Sequence, residues 1–138
     1  MAEIHIEEEI PAAADRAWAK IADFGGIDDW IPGAAGTTLA GEGVGAVRTI
    51  PMGDASVAER LESFDASART LSYSIVEGPM PIERYVATIS VVELDAERCR
   101  IHWDVDYEPT AGVPAEALAK GVEAAYRGAI QGLAEAVG

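Results

Sequence analysis

Glu59 is the carboxylate of this 138-residue chain whose spacing points most clearly to chemistry. It shares strand parity with Val57 and Leu61, so it faces the same way as two apolar residues. A carboxylate buried like that has a raised pKa or a bound partner, and two readings stay open. In one, Glu59 is a polar anchor inside a cavity or, together with Tyr85, a general acid/base there. In the other it forms a salt bridge to Arg48 or Arg84 near the rim. Tyr73, Tyr85, Trp103 and Tyr126 divide in the same way. They are core filler, or they line a pocket for an aromatic, partly polar ligand, because buried tyrosine hydroxyls need partners.

Other chemistries are poorly served. Gly41-Glu42-Gly43-Val44-Gly45-Ala46 matches the dinucleotide pattern G-x-G-x-x-G/A, but strand-like Val47-Arg48-Thr49-Ile50 follows it. No helix N-terminus is then aimed at a phosphate, and a hairpin turn is the better account. Metal sites need clustered ligands, and the chain offers His5, His102 and Cys99, so no metal or other cofactor is expected. Cys99 lies between Arg98 and Arg100 without a predictable base, which makes it structural or incidental. Both histidines alternate with apolar neighbours on the outer side of their strands, which leaves no Ser-His-acid triad.

The elements that must position Glu59 and the aromatics follow from periodicity. Ile4, Ile6 and Ile10 predict a half-buried strand whose apolar face Glu8 interrupts. A helix is expected to start at Pro11, with Ala14, Trp18, Ile21 and Ala22 at helical spacing, and to stop at Gly25-Gly26. A short second helix within 27–31 ends at Pro32-Gly33, before an edge at 37–40. Strands are predicted over 46–50, 56–64, 70–77, 82–94 and 100–108, with Leu71, Tyr73, Ile75, then Tyr85, Ala87, Ile89, Val91, then Ile101, Trp103, Val105, Tyr107 facing inward. A long helix runs from Pro114 to Val137, with an apolar stripe of Leu118, Val122, Ala125, Ala129, Ile130 and Leu133.

This order predicts one α+β domain over 1–138. Its curved antiparallel sheet of about seven strands wraps the long C-terminal helix, with one or two short helices after the first strand. A helix stripe made largely of Ala, Gly and Val cannot fill such a concavity. Either Trp30, Tyr73, Tyr85, Trp103 and Tyr126 fill it, or a ligand cavity remains, with Ala87 on its inner strand face counted in the lining. The segments 51–55 and 77–81, which carry Met52 and Met80, are either plain turns or lids over an apolar opening. As lids they would contact a ligand, and on closing they would present an apolar patch to a partner protein.

Charge narrows the partners. Ten Lys plus Arg against 24 Asp plus Glu give a net −14, a field that repels phosphate backbones and anionic headgroups. A small hydrophobic ligand is expected, and neither nucleic acid nor membrane. Nothing in the sequence indicates a homodimer or a fixed protein partner. The N-terminal residues lack a basic start and an apolar stretch, so a cytoplasmic location is expected.

Several ordered features together resemble the START-like helix-grip superfamily, and within it the polyketide cyclase/dehydrase branch. They are Ala17-Trp18-x-x-Ile21-Ala22-Asp23-Phe24 with Trp30-x-Pro32, Gly45-x-x-Arg48, Glu59-Arg60-Leu61, Leu71-Ser72-Tyr73-Ser74-Ile75, Gly78-x-x-Pro81 with Tyr85, and Trp103. The resemblance implies a cavity between sheet and C-terminal helix that binds small hydrophobic molecules, with cyclisation or dehydration in some members. More distantly the chain resembles plant abscisic acid receptors. In that comparison 51–55 and 78–81 fall on the gate and latch, and Glu59, Tyr73, Tyr85 and the turn from Ala125 to Ala129 on ligand-facing positions. The receptors' cavity lysine falls near Ala35, and their latch His-Arg pair falls on Met80-Pro81. No cation is therefore expected inside, which favours an uncharged ligand.

Overall fold

The alternation of apolar and polar residues is realised as seven strands and two helices. The computed structural model describes residues 2–137, apart from the side chain of Met52. Strand β1 is Ala2–Ile10, helix α1 is Ala14–Ala22, and a single 3-10 turn follows at Ile27–Asp29. Then come β2 (Thr38–Ala40), β3 (Val47–Met52), β4 (Ala55–Asp65), β5 (Thr70–Glu77), β6 (Ile82–Asp95), β7 (Arg98–Pro109) and helix α2 (Ala115–Val137). They form one antiparallel sheet in the order β1-β7-β6-β5-β4-β3-β2. The register slips at Ala58/Glu59 and Leu61/Ser63 between β4 and β5, and such irregularities bend a strand and increase its twist. The sheet thereby curls around α2.

Three local features of the fold have physical causes. Helix α1 opens at Ala14 rather than Pro11, because the Ala12 amide donates to the Ile10 carbonyl at 2.9 Å and residues 11–12 turn the chain out of β1. The segment 51–55 forms a plain turn, one of its two readings from the sequence. Pro51 pairs with Ser56 and Met52 with Ala55, leaving a tight turn at Gly53-Asp54 with Gly53 at φ +64°, where a side chain would be strained. Pro51 is tolerated because β2 covers β3 only over 47–49, so its missing N–H lies on an open edge. Glu8, the interruption in β1, is satisfied by Arg127 of α2 at 2.9 Å.

The core lies between the inner sheet face and the second half of α2. Ala129, Ile130, Leu133 and Val137 are buried there; in the first half Val122 is buried, while Ala117, Gly121 and Ala125 are exposed. No helix among the described residues is long and apolar enough to cross a membrane. Cys99 is buried in β7 between Ile10 and Glu93, and burial pushes its thiol up from the ordinary value. We expect a thiol-specific reagent at pH 8 to label the native protein at least about a hundredfold more slowly than the urea-unfolded chain. Immediate stoichiometric labelling would mean that the β1–β7 pairing opens freely.

Candidate functional site

Because the first half of α2 stands off the sheet, a cavity opens beneath it. It has two compartments. One, of about 320 Å3, lies between β4–β6 and the first turns of α2, against Val57, Ile75, Met80, Leu118 and Val122. The other, of about 680 Å3, reaches Arg48, Tyr73 and Trp103 and opens past Gly33 and Gly53. Ile50, Glu59, Ala125 and Tyr126 border both.

Glu59 and Arg48 are paired across β3 and β4, so their side chains leave the same sheet face. The Arg48 Nε donates to Glu59 Oε1 at 2.8 Å, with the two side chains only 6% and 9% exposed. The Arg48 Nη1 donates to the Phe24 carbonyl at 3.1 Å. The guanidinium carbon stands 3.9 Å above the Phe24 ring and 4.9 Å from the Tyr73 ring, both within cation–π range. These bonds use two of the five guanidinium N–H donors. The expectation of a cavity without a cation is thus corrected. Arg48 is inside it, and the Glu59 carboxylate compensates its charge.

Beside this pair three tyrosine hydroxyls form a chain. The Trp103 indole N–H donates to Tyr73 Oη at 3.2 Å, the Tyr73 and Tyr126 hydroxyls bond at 2.9 Å, and the Tyr126 and Tyr85 hydroxyls are also bonded. The Tyr126 ring stacks on Trp103 with centroids 3.9 Å apart and planes 11° from parallel. Burial, with the Glu59 charge adding to it, raises the pKa of Tyr73. Burial does the same for Tyr85 and Tyr126, and the nearness of Tyr73 adds to it in both. All three stay protonated across the ordinary pH range and act as neutral donors and acceptors. Three hydroxyl protons serve two tyrosine–tyrosine bonds, so one proton is left to donate elsewhere.

Of the residues picked out in the sequence, Glu59, Tyr73, Met80, Tyr85, Trp103, Ala125, Tyr126 and Ala129 border this cavity. Two do not. Trp30 packs behind Trp103, centroids 6.2 Å apart, with its indole nitrogen lacking a partner among the described residues. Ala87 is fully buried in the sheet between Tyr73 and Val105. The Met52 side chain lies outside the described residues. Sequence reasoning kept Arg48 as a rim partner and missed Ile50 and Gly121. A usable signal was present in the row Ala117, Gly121, Ala125, small residues four apart on one helix face.

The chain is 32% identical over 123 residues to the MLP-like protein 423 of Arabidopsis thaliana, covering 78% of this chain and 77% of that protein. The structure of the protein XoxI from Bacillus cereus superposes with a TM-score of 0.90 at 27% identity, over 99% of this chain and 96% of that one. The Zhui aromatase/cyclase from Streptomyces shares the fold, with a TM-score of 0.81 at 21% identity over 98% and 93% of the two chains. These likenesses agree with the helix-grip arrangement of sheet and α2. Residues 1–138 match the family described as polyketide cyclase / dehydrase and lipid transport, and the chain belongs to that family.

Proposed function

We propose that the chain binds a small uncharged aromatic molecule carrying at least one acceptor oxygen, held between the sheet and the first half of α2. The observation that carries this reading is an apolar cavity whose polar groups are a charge-compensated Arg48–Glu59 pair and a tyrosine chain with one proton to spare. A carboxylate ligand would compete with Glu59 for Arg48 and suffer its repulsion. A ketone or ether oxygen takes the spare hydroxyl proton without disturbing the pair. Sharing a fold with an aromatase/cyclase is consistent with aromatic cargo.

Turnover by Glu59 and Tyr85 is the weaker reading. A general base must be free to accept a proton, and here one Glu59 oxygen is engaged by Arg48 while the tyrosines are held protonated. Thermal denaturation against uncharged polyketide-like aromatics, flavonoids, sterols and fatty acids tests the proposal. A saturable rise for uncharged aromatics is expected, amounting to about 2.7 kcal/mol at a hundredfold the Kd. Aromatic acids should bind at least about tenfold more weakly than their esters. No shift with any aromatic, or equal affinity for acids and esters, would reject it. Glu59→Gln should leave binding largely intact, and its abolishing a measured cyclisation would favour the enzyme instead.

A further inference from the structure

We infer that the site is built for a two-part ligand, a flat oxygenated ring bearing an apolar chain, with Tyr126 as the partition between the two compartments and Gly121 as the residue that leaves room for the chain. The inference rests on the binding role proposed above and adds the shape of the ligand.

Tyr126 is a wall and not a free rotor. Its ring is stacked on Trp103, and its hydroxyl is bonded on one side to Tyr73, in the larger compartment, and on the other to Tyr85, in the smaller. Moving it would break both hydrogen bonds and the stack together. The two spaces differ in chemistry. The larger is bordered by Arg48, Tyr73 and Trp103, whose polar atoms and ring edges suit a ring bearing an oxygen. The smaller has its polar groups at the Tyr126 end, and Val57, Ile75, Met80, Leu118 and Val122 elsewhere, which suit a hydrocarbon. The spaces adjoin where Ala125, Ile50 and Glu59 border both.

Gly121 supports the assignment from the helix side. Glycine within a helix is unfavourable relative to alanine, so its presence in the middle of α2 calls for a reason. Packing supplies none, since a Cβ at Gly121 would meet nothing within 4 Å. Its missing side chain instead enlarges the smaller compartment.

The test is a calorimetric titration with phenol and its 4-ethyl, 4-butyl and 4-hexyl derivatives, on the wild-type protein and on Gly121→Leu. In the wild type, affinity should rise about fourfold per added methylene until the compartment is full. In Gly121→Leu the series should be nearly flat, the hexyl derivative binding that variant no more tightly than phenol does. Gly121→Ala should fall between them, and it supplies the comparison if the leucine variant melts lower than wild type. Phenol binding with a flat wild-type series, or the same rise in both proteins, overturns the two-part site while leaving the proposed binding of aromatics standing. Failure of every phenol to bind overturns both.

Discussion

Glu59→Ala is expected to destabilise the fold by about 3–5 kcal/mol, because it leaves the Arg48 guanidinium buried without a counter-charge. The remaining contacts of Arg48 are the Phe24 carbonyl and the faces of Phe24 and Tyr73. Each such ring contact contributes on the order of 1 kcal/mol, too little to replace a carboxylate. Glu59→Gln keeps an acceptor for the Arg48 Nε and should cost less, about 1–2 kcal/mol. The double substitution Arg48→Met with Glu59→Leu removes both charges and should recover most of the loss. Urea unfolding of the four proteins gives the comparison. A cost below about 1 kcal/mol for Glu59→Ala would show that water in the cavity already solvates Arg48. The same variant should also change what the site accepts. With Arg48 uncompensated, aromatic acids should stabilise Glu59→Ala more than the corresponding esters do, reversing the wild-type order.

The parts of the fold that the sequence revealed are those in which one face of a strand is buried. Strands β4 to β7 alternate so strictly that Glu59, Tyr73, Tyr85 and Trp103 could be assigned to the inner face one by one. Arg48 was read as a partner of Glu59, but its burial inside the cavity escaped, because β3 is short and carries Val47 on one parity and Ile50 on the other, so neither face declares itself. A turn within 51–55 was legible, but the pairing of Pro51 and Met52 with β4 was not, because Pro51 looks like a strand breaker unless β3 is known to be an edge there. Trp30 and Ala87 were assigned to the lining from residue type and parity. Whether an inward residue meets a cavity or a neighbour depends on how far α2 stands from the sheet. That distance is a tertiary quantity, and no single segment encodes it.

The second large effect is expected at Gly132, and its sign opposes helix propensity. In an exposed helix interior, glycine to alanine stabilises by about 0.5–1 kcal/mol, and Gly121→Ala should do so, because nothing stands within 4 Å of the added carbon. At Gly132 the same carbon would collide with the Trp30 carbonyl oxygen and lie 3.4 Å from the Pro32 Cδ. A backbone oxygen cannot swing aside, so either α2 or the segment through Trp30 must shift by the better part of an ångström. Overpacking of this kind costs about 1–3 kcal/mol, which outweighs the propensity gain. The disturbance would not stay local. Trp30 backs Trp103, and Trp103 carries the stacked Tyr126 ring, so the displacement is passed to the partition of the binding site. Gly132→Ala should therefore lower the urea midpoint without changing the slope, alter the near-ultraviolet tryptophan signal, and weaken aromatic binding, while Gly121→Ala raises the midpoint. A Gly132→Ala protein as stable as wild type, with an unchanged tryptophan signal, would mean that α2 does not approach Trp30 so closely in solution. The link from helix contact to ring stack would then be lost. If the signs divide as expected, one helix holds glycine for two unlike reasons: room for a ligand chain at Gly121, and contact with the Trp30 backbone at Gly132.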